Sequence, residues 1–472
     1  MGKGFFHGLV LYRDIFDQKG AYLYFFYGLA YLISHTTSFG IFVLEIVEGF
    51  FCLWGFYKIL CLYVKEKTSL MLCPFIFALS VSAPCFYWGG SAEEMNLPFI
   101  IWGLYLILFY FKEKYPNGET MDKKTLLLGG FLAGMVANIK FIDLGFFFAW
   151  MMCVFFAFVA LKQVKEGFVA CIVFLFGMAI PFVPWFIYFW ANGALYDWYF
   201  ACIHVNLFVY SNFGTEGPSL LERIVTLIKM FYFQTEINFV FFVFLIPGIF
   251  YYAFGKKRKW LDRFQICALF GFLFLCIYIG GSTLGYYALP FSAFTVMGFI
   301  PIGQLIDWTI TKWSLSEKLN TNKKMIMNHG LRLGAIVISM FIIWCCSNNI
   351  PYMKVKKEDH VLFRMKEYVK NIEDPTIMNF NCLDTGLGTI LDAMPACRWF
   401  QTQPIAIDDI YLEQKGYMRA GIPKIVVVEG EYPPHSALQV YDIVAEETWN
   451  DGNGDDTYYL LVRKDLVKDL GK

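Results

Sequence analysis

Long apolar runs separated by short polar stretches recur from about residue 38 to residue 349. Most approach the roughly 20 residues that a helix needs to cross the hydrocarbon core of a bilayer. Hydropathy predicts about ten spans, at 38–64, 68–88, 97–111, 125–139, 144–161, 168–191, 236–254, 264–281, 290–306 and 331–349. A shorter, aromatic-rich apolar segment at 21–34 is predicted to form a helix lying in the membrane interface.

The chain changes character at about Tyr352. Short β-branched and aromatic runs bounded by Pro, Gly, Asn and Asp predict strands, and these runs are PTIMNFN, PKIVVVEG, YDIVAEE and YYLLVRK. Between them, DHVLFRMKEYVKNI is typical of a helix. The sequence therefore predicts an all-α polytopic membrane domain at 1–350, followed by a small α/β domain at 351–472.

Composition supports a membrane protein and excludes several other classes. Hydrophobic residues make up 58% of the 472 and charged residues 17%, against roughly 25% charged in soluble domains. Lys plus Arg and Asp plus Glu are each 39, and the chain has no Gly-rich phosphate loop or basic face, so we expect no nucleic-acid partner. The 13 cysteines show no zinc-binding spacing and lie mostly in apolar runs.

The distribution of cations predicts the orientation of the spans. Cations collect at Lys65–Lys67, Lys112–Lys124, Lys162–Lys165, Gly255–Arg263 and Lys312–Arg332. The alternate loops, Gly89–Asn96, Asn192–Thr235 and Gly280–Pro290, are poor in cations. By the positive-inside rule the first set is cytoplasmic and the second external. Parity then places both the N-terminal stretch and the C-terminal domain outside the cell, and predicts that a first span is missing. The alternative is a tilted span at 21–36.

Four charges directly precede the first apolar segment, in YRDIFDQKG. Asp14 and Asp17 are three residues apart, so on a helical turn they share a face, with Arg13 and Lys19 beside them. A carboxylate there can take a proton from a hydroxyl or bind a cation, while the cations suit phosphate. The alternative is an interfacial anchor in which the cations reach toward the lipid surface.

Two further charged groups interrupt apolar sequence. Glu93 and Glu94, in GGSAEEMN, repel each other, which favours a protonated or metal-bound state; the alternative is a solvated acidic loop. Lys140 and Asp143, in ANIKFIDLG, form either a phosphate site or a self-neutralising pair.

Glu45 and Glu48 lie on one face of the first predicted span. They either line a cavity, pair with the cations of another cluster, or pack against neighbouring polar groups. Tyr286 and Tyr287, at the end of a later span, are typical of an interfacial aromatic belt.

The order of these motifs resembles the GT-C glycosyltransferases, in particular bacterial aminoarabinose transferases and protein O-mannosyltransferases. The stretch from Gly8 to Ile33 resembles the first external loop and juxtamembrane helix of that family, although Ala21 stands where Pro is usual. GGSAEEMNLPF resembles its second acidic loop, GGFLAGMVANIKF its Gly-rich span ending in Lys, and GGSTLGYYALP its later aromatic stretch. The resemblance covers roughly residues 8–350.

The resemblance implies an inverting transfer of a sugar from a polyprenyl-phosphate donor to a glycan, lipid or protein acceptor on the external face of the cell membrane. It further implies catalytic roles for Asp14 and Asp17, phosphate binding by Arg13, Lys19 and Lys140, and a divalent metal ion held by Glu93 and Glu94. The family's first acidic motif lies upstream of the matched stretch, and we expect it to be absent. The alternatives are a transporter or flippase of a lipid-linked or anionic substrate, with Glu45, Glu48 and Lys140 on its path, and an inactive homologue.

Overall fold

The structure, a computed structural model, describes the chain except at a few loops and the C-terminal end. Described are residues 1–209, 219–255, 259–280, 284–312, 321–403, 405, 407, 409–450, 455–468 and 470, with backbone alone at 321–328. Parts of four loops used above to predict the orientation, at 210–218, 256–258, 281–283 and 313–320, lie outside the described residues.

Helices dominate the first 350 residues. The first ten are α1 (Gly2–Phe6), α2 (Ala21–Ile33), α3 (Phe39–Cys61), α4 (Glu66–Ser82), α5 (Ala92–Phe109), α6 (Lys123–Ala137), α7 (Leu144–Ala160), α8 (Val164–Ala179), α9 (Phe182–Ala191) and α10 (Leu195–Tyr199). They are followed by α11 (Leu220–Ile237), α12 (Phe239–Ala253), α13 (Trp260–Tyr278), α14 (Val296–Lys312) and α15 (Thr321–Cys346). The predicted helical membrane architecture is therefore confirmed.

Among the described residues, six helical segments are long and apolar enough to cross a membrane, or up to eight if each of two bent pairs counts as one span. The six are Phe39–Cys61, Ala92–Asn117, Phe141–Ala160, Trp260–Tyr278, Gly285–Lys312 and His329–Cys346. The bent pairs are α8 with α9, at 48°, and α11 with α12, at 117°. Helices α4 and α6, of 17 and 15 residues, fall below that length, so the count of ten spans stays a prediction. Helix α2 has 13 residues, about 20 Å at 1.5 Å per residue, which is shorter than the bilayer core.

The C-terminal part folds around a five-stranded sheet in the order β2-β1-β3-β5-β4. Its elements are α16 (Val361–Val369), β1 (Thr376–Phe380), α17 (Leu387–Ile390), β2 (Met394–Pro395), α18 (Asp409–Arg419), β3 (Ile425–Glu429), β4 (Tyr441–Asn450), β5 (Asp455–Arg463) and α19 (Lys464–Val467). Strands β2, β1 and β3 are parallel, and β5 and β4 are antiparallel to their neighbours. The four predicted strands and the predicted helix are confirmed, whereas the two-residue β2 gave no sequence signal.

Strand β3 is buried on both faces of this sheet, which explains its uninterrupted IVVV run. Ile425 and Val427 belong to the apolar core on one face, and Val426 and Val428 to the core on the other. All four are fully buried. A hydrophobic core on each side makes this an α/β arrangement, as the sequence predicted.

The contacts divide the chain into two compact units. Unit 1 consists of Met1–Leu44, Trp185–Gly217 and Pro351–Lys472, and unit 2 of Glu45–Pro184 and Pro218–Ile350. The tail thus shares a unit with two segments that the sequence had assigned to the membrane domain.

Small residues set the packing of α6 against α8 in unit 2. A Cβ on Gly130 would lie 2.0 Å from the carbonyl oxygen of Phe174, and one on Gly134 would lie 2.3 Å from that of Met178. Such spacing of glycines lets two membrane helices approach at backbone distance. The Gly-rich sequence before Lys140 therefore allows the close packing of α6 against α8.

Candidate active site

A glycine turn leads the chain into α5. Gly89 and Gly90 have φ of +81° and +64°, values that favour glycine because they cost a side-chain-bearing residue free energy. Ser91 then caps α5, its Oγ accepting a hydrogen bond of 3.1 Å from the amide of Glu94. Glu93 and Glu94 consequently occupy the first turn of α5, where the helix dipole favours negative charge.

A break between two helices brings the second part of the cluster into place. Helix α6 ends at Ala137, and Asn138 Nδ2 donates a 2.9 Å hydrogen bond back to the carbonyl of Gly134. Lys140 is extended, with φ of −152°, and one 3₁₀ turn, Phe141–Asp143, precedes α7. Lys140 and Asp143 therefore lie at a buried helix junction.

The Lys140 ammonium contacts the Glu93 carboxylate, and the two side chains are only 6% and 2% exposed. The same ammonium lies 3.6 Å from the centre of the Tyr287 ring and 5.5 Å from that of Tyr286. An aromatic face attracts a desolvated cation. The two tyrosines that the sequence placed in an interfacial belt thus face this lysine, and the belt stays a prediction.

Asp143 is fully buried and is held by Asn96 of α5. Asn96 Nδ2 donates a 2.7 Å hydrogen bond to Asp143 Oδ2 and a 3.2 Å bond to the carbonyl of Lys140. Lys140 and Asp143 also interact electrostatically, so the self-neutralising pair, one of the two sequence interpretations, stays a prediction. Lys140 takes Glu93 as its ionic partner, and an amide orients Asp143.

Three buried polar atoms of this region accept or donate no hydrogen bond within the described part of the chain. They are Asp143 Oδ1, Asn96 Oδ1 and the Tyr278 hydroxyl. Tyr278 is 1% exposed, ends α13 and lies within electrostatic range of Glu93 and Asp143. Buried polar groups are nearly always paired, so these three atoms require an ordered water or a polar ligand as a partner.

The second carboxylate of the acidic loop belongs to a different cluster. Glu94 accepts a 2.6 Å hydrogen bond from the amide of Gly90 and interacts electrostatically with Glu45 and Glu48. Among the described residues no group of three or more His, Cys, Asp or Glu side chains could hold a metal ion. The divalent-metal site predicted at Glu93 and Glu94 stays a prediction.

The loop at residues 10–20 belongs to unit 1 and differs from its predicted form. Leu11 and Ile15 form an isolated β-bridge around a turn, and Tyr12 within it has φ of +68°. The prediction that Asp14 and Asp17 share the face of a helical turn is therefore wrong, because the bridge and the left-handed Tyr12 prevent helical geometry.

Asp14 is closely held by its neighbours. Arg13 Nε donates to Asp14 Oδ1 at 2.8 Å, while Arg13 Nη2 and the Val10 amide donate to Asp14 Oδ2 at 3.1 and 2.7 Å. These bonds, chiefly that from Arg13, lower the pKa of Asp14 below its usual value. Arg13 also donates a 2.8 Å bond to the carbonyl of Asn192.

Asp17 and Lys19 lie further along the same loop, partly exposed. Asp17 Oδ1 accepts a 2.7 Å hydrogen bond from the amide of Gln18. The backbone of Lys19 is fixed by two buried tyrosines: its carbonyl accepts from Tyr12 at 2.8 Å, and its amide donates to Tyr24 at 3.1 Å.

Of the predicted site residues, Glu93 and Lys140 come together in unit 2, and Arg13 pairs with Asp14 in unit 1. The sequence did not single out Asn96 or Tyr278, and it considered Asp143 only as a partner for Lys140. Asn96 lies within the quoted acidic motif, three residues after Glu93, a spacing that places both on one side of a helix. For Tyr278 the apolar surroundings gave no signal.

Comparison with known proteins identifies the fold. No family model matches the chain, and no curated protein matches it by sequence. The crystal structure of ArnT from Cupriavidus metallidurans bound to undecaprenyl phosphate is similar, with a TM-score of 0.59 at 12% identity, covering 94% of this chain and 88% of that one. The apo structure of the same ArnT gives 0.56 at 10% identity, covering 94% and 87%.

The chain thus has an ArnT-like fold over nearly its whole length. The fold expected from the resemblance to GT-C glycosyltransferases of the aminoarabinose-transferase type is confirmed. At these identities the similarity establishes the fold alone, so activity has to be argued from the site.

Proposed function

We propose that this protein is a membrane glycosyltransferase that uses a polyprenyl-phosphate sugar as donor. The observation that carries the proposal is the likeness of nearly the whole chain to ArnT, which was crystallised with undecaprenyl phosphate. The buried Lys140–Glu93 cluster beside Asp143 adds the kind of chemistry such a reaction needs. Ionisable groups buried in a membrane protein are costly and are rarely kept without a function.

In the proposed reaction an acceptor hydroxyl attacks the anomeric carbon of the sugar, and the bond between that carbon and the phosphate oxygen breaks. A single displacement inverts the anomeric configuration. Negative charge develops on the departing polyprenyl phosphate, and a fixed cation in a water-excluded site stabilises it. Lys140 is our candidate for that cation, with Glu93 holding the ammonium in place until a phosphate replaces it.

We further propose that transfer takes place on the external face of the membrane, as the cation distribution predicts. The acceptor is a glycan, lipid or protein of the cell envelope. The roles predicted for Asp14, Asp17, Arg13 and Lys19 remain open to the same experiments.

Binding of undecaprenyl phosphate to the purified protein, measured by native mass spectrometry, tests the donor class. Lys140→Met should weaken binding about tenfold or more, because the variant loses the buried cation. Lys114→Met is the matched control, since Lys114 pairs with Glu119 at an exposed site. Equal binding by all three proteins would contradict the role of Lys140.

Transfer itself is measured with membranes that contain the protein and radiolabelled undecaprenyl-phosphate hexoses and pentoses. We expect label to move to an envelope acceptor, and Lys140→Met to slow this by roughly 10²–10³-fold. Movement of the labelled lipid across vesicle membranes without sugar transfer would instead identify a flippase.

A further inference from the structure

We propose that Asp143 is the general base of this enzyme and takes the proton from the acceptor hydroxyl through its Oδ1 atom. The proposal deepens the proposed function, because it names the group that activates the nucleophile. It is an alternative to the catalytic role that the family resemblance implied for Asp14.

The two oxygens of the Asp143 carboxylate differ in their hydrogen bonding. Oδ2 accepts the 2.7 Å hydrogen bond from Asn96, which fixes the orientation of the carboxylate. Oδ1 is buried and accepts no hydrogen bond from the described residues. A carboxylate has about four lone-pair sites, and here those of one oxygen remain available to a ligand.

The other unpaired atoms of this region are a hydrogen-bond donor and an acceptor, and a hydroxyl group can pair with both kinds. Tyr278 carries an O–H with no acceptor, and Asn96 Oδ1 lacks a donor, within the same described region. In the proposed complex the acceptor hydroxyl donates its proton to Asp143 Oδ1, and the Tyr278 hydroxyl donates a hydrogen bond to the acceptor oxygen. A buried polar group that lacks a hydrogen-bond partner costs free energy, so a hydroxyl that pairs with these groups binds in a defined orientation.

The packing of α13 places Tyr278 on this side of the helix junction. Gly145, two residues after Asp143, lies so close to α13 that a Cβ there would be 2.7 Å from Cβ of Cys276. The Tyr278 ring lies 6.2 Å from that of Phe291, which belongs to the 3₁₀ segment Gly285–Thr295 that carries Tyr287. Helix α13 and the Tyr287 segment thus flank the same junction.

Asp14 is poorly suited to the same task. Its two oxygens already accept three hydrogen bonds, two of them from Arg13. Its pKa lies below the usual value because the charge-assisted bond from Arg13 stabilises the carboxylate. A base with a lower pKa accepts a proton less readily.

The acceptor oxygen forms a bond to the anomeric carbon while its proton passes to Asp143 Oδ1. The bond between the anomeric carbon and the donor phosphate oxygen breaks, and its electron pair leaves with the polyprenyl phosphate. The proton returns from Asp143 to solvent or to the released phosphate after the product leaves.

The test compares wild type with Asp143→Asn, in which the new amide oxygen still accepts the bond from Asn96 but the group no longer takes up a proton. We expect kcat for sugar transfer to fall by about 10²–10⁴-fold while undecaprenyl phosphate binding in native mass spectrometry stays within twofold. The decline of kcat/KM on the acidic side of the pH profile should disappear in the variant. Glu119→Gln, at the exposed ion pair with Lys114, should retain that decline and most of kcat.

Tyr278→Phe is the second variant, since it removes one hydroxyl and keeps the apolar packing. We expect a tenfold or larger rise in KM for the acceptor. Unchanged kinetics in both variants would overturn the proposal and indicate a structural water at this position. A loss of donor binding in Asp143→Asn would also overturn it. If the wild type binds undecaprenyl phosphate and transfers no sugar, the proposed function fails, and Asp143 is then not a general base.

Discussion

Removing one partner of the Glu93–Lys140 pair should destabilise the protein far more than removing an exposed pair. Both side chains are almost completely excluded from solvent, and Lys140→Met leaves Glu93 as a buried charge without its ionic partner. Such a loss costs about 3–5 kcal/mol. The Tyr287 ring, 3.6 Å from the ammonium, adds up to about 2 kcal/mol for a desolvated cation.

The double variant Glu93→Gln, Lys140→Met separates the two contributions. It removes both charges together, so it should lose no more stability than either single variant. Reversible unfolding by SDS in mixed micelles measures the free energies, and Lys114→Met, at an exposed pair, should change little. If the double variant loses the sum of the single losses, or each single variant unfolds like the control, the buried ion pair does not stabilise the fold.

Two further predictions concern packing and pH. Gly134→Ala should destabilise the protein by about 1–3 kcal/mol, because the new Cβ meets the Met178 carbonyl. Gly271→Ala, where a Cβ meets nothing within 4 Å, is the control in the same SDS titration. Equal losses of stability in the two variants would contradict the close packing of α6 against α8. Burial, and then the charge of Arg364, lower the pKa of His360 in the folded protein below 6.5. The neutral imidazole therefore stabilises the folded state fully above pH 6.5. This contribution to stability is lost as the pH falls through 6.5 toward the lowered pKa. At pH 5.5 the backbone amides of β1 should therefore exchange hydrogen faster in the wild type than in His360→Asn. Identical protection of these amides in the two proteins would refute the role of His360.

Apolar runs predicted the helices well because twenty consecutive apolar residues have few alternatives in a membrane protein. The strands of the tail could be predicted equally well, since β-branched runs bounded by turn residues specify strands. The candidate site was less predictable. Lys140 and Asp143 are near neighbours in sequence, but the ionic partner of Lys140 lies 47 residues away. Only the approach of α5 to the helix junction decides that pairing.

The conformation of the loop at residues 10–20 could not be predicted from its local sequence. A spacing of three between Asp14 and Asp17 favours a shared face only if the backbone is helical. The positive φ of Tyr12 and the Leu11–Ile15 bridge depend on contacts with distant segments, such as the 2.9 Å hydrogen bond from the Phe16 amide to the carbonyl of Arg398. No local pattern encodes such a contact.

The composition of unit 1 from three distant segments has a consequence during synthesis. About 300 residues separate Met1–Leu44 from Pro351–Lys472, and at roughly 5–20 residues per second the ribosome needs about 15–60 seconds to make them. For that interval Phe16 lacks the Trp399 ring that it later meets at 4.4 Å. Residues Met1–Leu44 therefore cannot complete their packing within unit 1 until Pro351–Lys472 has been synthesised.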